Sequence, residues 1–141
     1  MIYYVDTSLV ISAVTGEMRA EAVQEWLEQH WDYLIISDWV VTEAAAALAK
    51  QVRTNRLTSS EQLQAALLFE RQFVSRLTVL PVSRAEFRSA ARFCERAELG
   101  LRAGDALHLA IASTHTATLV TGDKRQSDAG ERLRLKTLLL A

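Results

Sequence analysis

Short apolar segments recur along this chain, separated by stretches with helical periodicity, and that alternation constrains the fold more than any other feature. Ile2–Val5, Leu34–Ile36, Leu77–Leu80, Thr118–Val120 and Lys136–Leu140 are rich in β-branched and aliphatic residues, and several are continuously apolar. Strands of that kind are buried on both faces, as in a parallel sheet covered by helices. Between them, Arg19–Trp31 puts Val23, Trp26, Leu27 and His30 on one stripe. Ala85–Ala97 groups Phe87, Ala90, Ala91, Cys94 and Ala97, and Ala103–His115 carries Leu107, Ala110 and Ile111. Trp39–Val52 and Ser59–Val74 follow one another with no strand between, which predicts a helical-hairpin arm, a clamp or a dimerisation element. A last short helix is expected over Ser127–Leu133. The fold class that follows is α/β, a three-layer α/β/α sandwich around a five-stranded parallel sheet.

At 141 residues, with five glycines and one proline, the chain offers no linker, and residues 1–141 read as a single domain. Half of the residues are hydrophobic, which excludes a disordered chain. The 16 Lys+Arg against 17 Asp+Glu give a net charge of −1, so any basic surface must come from local segregation. Cys94 is the one cysteine, placed at an apolar helical position, so no internal disulfide framework exists. No apolar stretch is long enough to span a bilayer and no leader-like segment opens the chain. The expectation is a soluble cytoplasmic protein.

Four acids stand at element ends among apolar neighbours. They are Asp6 in Val5-Asp6-Thr7-Ser8, Glu43 in Val40-Val41-Thr42-Glu43-Ala44-Ala45, Asp105 in Ala103-Gly104-Asp105-Ala106, and Asp123 in Thr121-Gly122-Asp123. A carboxylate beside buried apolar groups is costly unless positive charge offsets it. Asp6 follows the first strand, Asp123 follows the fourth by two residues, and Asp105 lies in the first turn of a helix. Glu43 lies near the start of the helix after the second strand, with Ser37 or Asp38 as its N-cap. In an open parallel sheet all four can reach one edge, where the strands' carboxyl ends form a crevice. Each acid also has a structural reading alone. Asp6 could cap the helix starting at Ser8, Asp105 could favour a helix dipole, Asp123 could be a turn residue, and Glu43 could face solvent. Their common placement favours function.

Carboxylates held close need a cation or a retained proton. Oxygen-only donors favour Mg²⁺ or Mn²⁺ over zinc, and no His/Cys spacing suits a zinc site. Such a centre suits phosphodiester hydrolysis. Thr7, Ser8 and Thr121 have hydroxyls placed to orient a water, a phosphate or an Asp side chain.

The same segments resemble the PIN domain, and within it the VapC-type toxin ribonucleases of toxin–antitoxin pairs. The resemblance runs along the whole chain. It rests on Val5-Asp6-Thr7-Ser8, on Glu43 before an alanine-rich helix, on Gly104-Asp105-Ala106-Leu107-His108-Leu109-Ala110, and on Leu119-Val120-Thr121-Gly122-Asp123. It implies a PIN-like, Rossmann-like sheet and a Mg²⁺-dependent endoribonuclease with Asp6, Glu43, Asp105 and Asp123 as both metal ligands and catalytic acids. It also implies a homodimer, an RNA substrate, and a VapB-type antitoxin whose C-terminal segment blocks the acidic pocket. Where the family commonly has an aromatic soon after the fourth acid, this chain has Lys124-Arg125-Gln126-Ser127-Asp128, which leaves Asp128 as a substitute or fifth acid.

Arg102, Lys124 and Arg125 flank the acids and are candidates to hold RNA phosphates, with a solvated surface charge as the other reading. His108 reads as a packed, hydrogen-bonded helix residue rather than a general base. Trp26, Trp31 and Trp39 read as core or interface aromatics, because no basic residues interleave with them in sequence. Rival functions fit less well. An aspartyl-phosphate phosphatase wants an acid where Ser8 stands. A phospho-acceptor signalling domain wants a second acid beside Asp6 and one ending the third strand, where Leu80-Pro81 stands. A PIN-like RNA-binding module without activity is the remaining alternative.

Overall fold

The computed structural model describes residues 1–16 and 20–140. The five apolar segments form one sheet: β1 (Tyr3–Val5), β2 (Leu34–Ser37), β3 (Thr78–Leu80), β4 (Thr118–Thr121) and β5 (Thr137–Leu139). All four pairings are parallel, in the order β3-β2-β1-β4-β5. β1 is central, and the order reverses between β1 and β4. That switch point is where an open α/β sheet leaves a crevice beyond its carboxyl edge. Tyr4, Val5, Ile36, Leu119 and Val120 are fully buried, as strands covered on both faces require.

Helices α1 (Thr7–Thr15), α2 (Ala20–His30), α3 (Asp38–Arg53) and α4 (Ser59–Phe69) come from the half of the chain that winds from β1 to β3. The remaining helices are α5 (Arg84–Glu95), α6 (Ala103–Thr114) and α7 (Lys124–Arg132). Right-handed crossovers put the two sets on opposite faces once the winding direction reverses. In keeping with that, α1 packs on α2, α3 and α4, α5 packs on α6, and α7 packs on β4 and β5. Among the described residues no helix is long and apolar enough to cross a membrane.

Local signals fix most element ends. Ser37 caps α3 by accepting from Val40 N. Thr58 with Glu61, and Ser83 with Glu86, form capping boxes at α4 and α5. Gly16, at φ +70°, ends α1 in the left-handed conformation.

The helical hairpin forms as expected, from α3 and α4 with no strand between them, and both helices pack on α1. Several expected bounds need correction. The helix expected to run to Val74 ends at Phe69 and continues as a wider π-type turn over Glu70–Val74. The helix expected over Ala85–Ala97 stops at Glu95, and Gly100 instead closes a short 3₁₀ turn, Ala97–Leu99. Its buried face is also rotated: Glu86 and Ala90 are buried, whereas Phe87 is 53% exposed. Glu86 accepts from Ser83 N at 2.7 Å on that buried face. The last helix begins at Lys124 rather than Ser127, because Asp123 caps it. Arg19, the expected start of the second helix, lies outside the described residues.

Candidate active site

Strand register delivers the first acid. Pairing of Tyr3, Tyr4 and Val5 with Thr118, Leu119 and Val120 carries one step further to set Asp6 beside Thr121. Asp6 Oδ2 accepts from Thr121 Oγ1 at 2.6 Å, while Oδ1 accepts from Ser8 Oγ at 2.6 Å and from Leu9 N at 3.3 Å. Ser8 Oγ in turn accepts from Gly122 N at 3.0 Å, tying the β1 end to the β4 end. Asp6 is only 2% exposed. Burial pushes its carboxyl above the usual range, against the opposing pull of His108 charge and of the bonds from Ser8, Thr121 and Leu9.

Glu43 projects from the second turn of α3 and is held from one side only. Its Oε1 lies 2.5 Å from His108 Nε2 and accepts from Thr7 Oγ1 at 2.7 Å. Behind His108, Nδ1 lies 2.8 Å from Tyr4 Oη, which lies 2.7 Å from Ser37 Oγ, itself an acceptor for Val40 N. Burial drives the Tyr4 phenol far above its ordinary range, so it remains an O–H group. The chain uses one hydrogen per contact when Ser37 donates to Tyr4, Tyr4 to His108 Nδ1, and His108 Nε2–H to Glu43. Burial raises the Glu43 carboxyl, but the bond from His108, its charge when protonated, and Thr7 outweigh that and leave it below the usual value. This is the packed, hydrogen-bonded role expected for His108. Its tie to Glu43 joins residues 65 apart and has no sequence signature.

Asp105 sits in the first turn of α6, half-buried, and no hydrogen bond or ion pair reaches its carboxylate among the described residues. Burial first, then repulsion from Asp123, Glu43 and Asp6, push its carboxyl up, with His108 pulling the other way. Asp123 caps α7, its Oδ1 accepting from Arg125 N at 2.9 Å. Gln126 Nε2 donates to the Asp105 carbonyl at 3.2 Å, stitching α7 to α6.

Two cavities that share Glu43, Asp105 and Asp123 open over these side chains. The larger, about 590 Å³, adds Trp39, Arg102, Gly104 and Arg125. The smaller, about 250 Å³, adds Asp6, Thr7, Ser8, Ala46, Ala47, His108 and Gln126. The four acids expected at one sheet edge therefore do face one recess, and the alanine run of α3 forms part of its wall. Lys124 and Asp128 do not join them. They pair with each other at 2.8 Å, exposed and one turn apart on α7, and neither lines the two cavities.

The donor set is all oxygen and its charge is not neutralised locally, which fits a hard divalent ion. Among the described residues nothing hydrogen-bonds Glu43 Oε2 or either Asp105 carboxylate oxygen, so these are placed to ligate. Among the described residues no three acids or histidines are already drawn into a closed ligand set. Like charges repel, and Asp6, Glu43 and Asp123 each turn to the nearest hydrogen-bond donor.

A family model described as the PIN domain matches residues 3–132, which span all four acids. The chain belongs to the PIN domain family. No protein of curated function matches it. Solved structures share the fold of this PIN domain at low identity. One is VapBC2 of Rickettsia felis bound to a promoter DNA fragment, at TM-score 0.72 and 19% identity, covering 100% of both chains. A second is VapC20 of Mycobacterium tuberculosis, a sarcin-ricin loop cleaving toxin, at TM-score 0.67 and 19% identity, covering 91% of this chain and 95% of that one. A third is VapBC-5 of the same organism, from the VapBC family of toxin–antitoxin systems, at TM-score 0.65 and 20% identity, covering 99% and 98%.

Proposed function

We propose that this PIN domain is a Mg²⁺-dependent endoribonuclease and the toxin of a type II toxin–antitoxin pair. The observation that carries the reading is the convergence of Asp6, Glu43, Asp105 and Asp123 on one recess at the switch point of the sheet. Family membership supports it, as do the VapBC complexes and the RNA-cleaving toxin among the proteins that share its fold.

Asp6 and Asp105 would hold the ion, with Glu43 and Asp123 completing the site and Mn²⁺ able to replace Mg²⁺. When bound, the ion supplies the charge neutralisation and water acidification that phosphodiester hydrolysis needs. The protein's own part is preorganisation. Ser8, Leu9 and Thr121 fix Asp6, while His108 and Thr7 fix one Glu43 oxygen and leave the other facing the cavity. Arg102 and Arg125 line the larger cavity, with no ion pair among the described residues, placed to bind phosphates on either side of the scissile one. Attack by water, rather than by the neighbouring 2′-hydroxyl, gives ends without a cyclic phosphate.

The test is cleavage of a mixed RNA pool with and without Mg²⁺, alongside the Asp6→Asn and Asp105→Asn proteins. Equal cleavage by all three, or 2′,3′-cyclic phosphate ends, overturns the assignment. Expression without its antitoxin should arrest growth, and the Asp6→Asn form should not. A homodimer and a VapB-type antitoxin as partner belong to the same proposal.

A further inference from the structure

We propose that Trp39, Arg102 and Arg125 form a nucleotide-reading subsite beside the acids, in which the indole stacks an unpaired RNA base and the two guanidiniums hold its flanking phosphates. For the position of the scissile group this rests on the ribonuclease reading. The basic residues absent from the sequence around Trp39 are supplied in space. Trp39 from α3, Arg102 from the start of α6 and Arg125 from α7 line one cavity of about 590 Å³ together with Glu43, Asp105 and Asp123.

Among the described residues no hydrogen bond or ion pair is made by the side chains of the three. Trp39 Nε1 is buried with no hydrogen-bond acceptor, an unusual state for an indole N–H. Neither guanidinium bonds to a carboxylate, although three carboxylates line the same cavity and both arginines are exposed. Two guanidiniums without a carboxylate partner, beside an Asp105 carboxylate that nothing among the described residues bonds, are poised for a ligand that carries both demands. A polynucleotide does so: its phosphates suit the arginines, and the scissile phosphate lies among the acids when the metal is bound. Trp39 is the one aromatic on this cavity wall among the described residues, and an indole face accepts any base presented outside a duplex. Gly104 keeps the wall thin, since a Cβ there would lie 3.3 Å from Trp39 Cζ2 and 3.6 Å from Nε1. The subsite therefore selects for an unpaired nucleotide and reads its geometry more than its sequence.

Binding of a fluorescein-labelled, mixed-sequence, single-stranded octaribonucleotide is measured by anisotropy with Mg²⁺ in the Asp6→Asn background, where turnover is removed. Trp39→Leu keeps an apolar wall but no π face and should weaken binding on the order of 10- to 100-fold, while Trp39→Phe should stay within about 3-fold. Arg102→Gln and Arg125→Gln should each flatten the salt dependence, by roughly 0.7 in slope per lost phosphate contact. The oligonucleotide should quench an indole emission that the Trp39→Phe protein lacks, and a duplex of the same sequence should not. Unchanged affinity in Trp39→Leu, or quenching that persists in Trp39→Phe, overturns the subsite. The quenching comparison decides the matter even if Trp39→Leu folds poorly. RNA cleavage by the unsubstituted protein is scored separately. Cleavage without Trp39-dependent binding removes the subsite and leaves the nuclease. Trp39-dependent binding without cleavage does the reverse.

Discussion

The Asp105 carboxylate meets no hydrogen bond or ion pair among the described residues, and in the proposed metal site that would set function against stability. Its folded pKa is raised, so the ionised form destabilises the fold in full above that pKa. The penalty fades as pH falls through the folded pKa and is gone below the ordinary carboxylate value of 3.8, where folded and unfolded states are both protonated. Asp105→Asn should therefore melt higher than the parent near neutral pH in chelator, by roughly 2–4 °C for each kcal/mol relieved. The gap should close towards about pH 4, and RNA cleavage should be lost throughout. Added Mg²⁺ should raise the parent's melting temperature by mass action and leave the variant's nearly unchanged. A variant that melts lower than the parent at neutral pH in chelator would contradict this account. Gly104 makes the complementary case. A Cβ at this position would lie 2.7 Å from Glu43 Oε2, the oxygen left free by His108 and Thr7. Alanine is the better helix former there, by up to about 1 kcal/mol, so Gly104→Ala should fold well. Displacing the Glu43 carboxylate should still lower kcat on the order of 10-fold or more. Melting and steady-state cleavage of one preparation separate the two effects.

At the scale of elements, α7 matters because it caps on Asp123 and carries Gln126 to the Asp105 carbonyl. It lies close to β5 only because Gly130 has no side chain. A Cβ there would collide with Thr137 Cγ2 and meet Leu109 Cδ2 at 3.0 Å. Gly130→Ala should cost about 1–3 kcal/mol by overpacking. Adding Thr137→Ser removes the offending methyl and keeps the hydroxyl that meets Ser127 at 3.1 Å, so the double variant should recover part of the loss. Additive losses in denaturant titrations would show that the contact is not the cause. The same helix marks where the sequence is hard to read. Lys124-Arg125-Gln126 looks like polar loop, and only a cap by Asp123 makes it a first turn. The inner strands β1, β2 and β4 were legible because burial on both faces leaves an apolar signature. The edge strands β3 and β5 were legible because they keep Val or Leu though less buried. In α1 the run has no period, since Leu9 to Val14 are all buried, and the signal that marks the helix is its cap, Asp6, which starts it at Thr7, one residue before the expected Ser8. The acids were legible from their places at element ends. The groups that orient them were not, because Tyr4 and His108 are 104 residues apart, and Trp39 shares a cavity with Arg102 and Arg125 only after folding.

For the molecule as a whole, the unexplained feature is apolar surface on the α3–α4 hairpin. Leu63 and Leu67 are 62% and 51% exposed, one turn apart on α4, while Ala65 and Phe69 of the same helix are buried. A turn-spaced leucine pair in water is the kind of patch that marks an interface. With a net charge of −1, two copies meet little long-range repulsion. A two-fold dimer would bring such a patch onto itself, each leucine pair covering its counterpart. The hairpin is packed on α1 rather than free, so it would offer a preformed face and lose little entropy on association. Leu63→Glu with Leu67→Glu should leave the melting curve of the protomer and its metal-dependent cleavage intact, since neither residue supports the core or lines the recess. Light scattering coupled to size exclusion should then report a dimer for the parent and a monomer for the double variant. A dimer that survives both charges would move the interface elsewhere, and the exposed Phe87 on α5 is the next apolar residue to substitute.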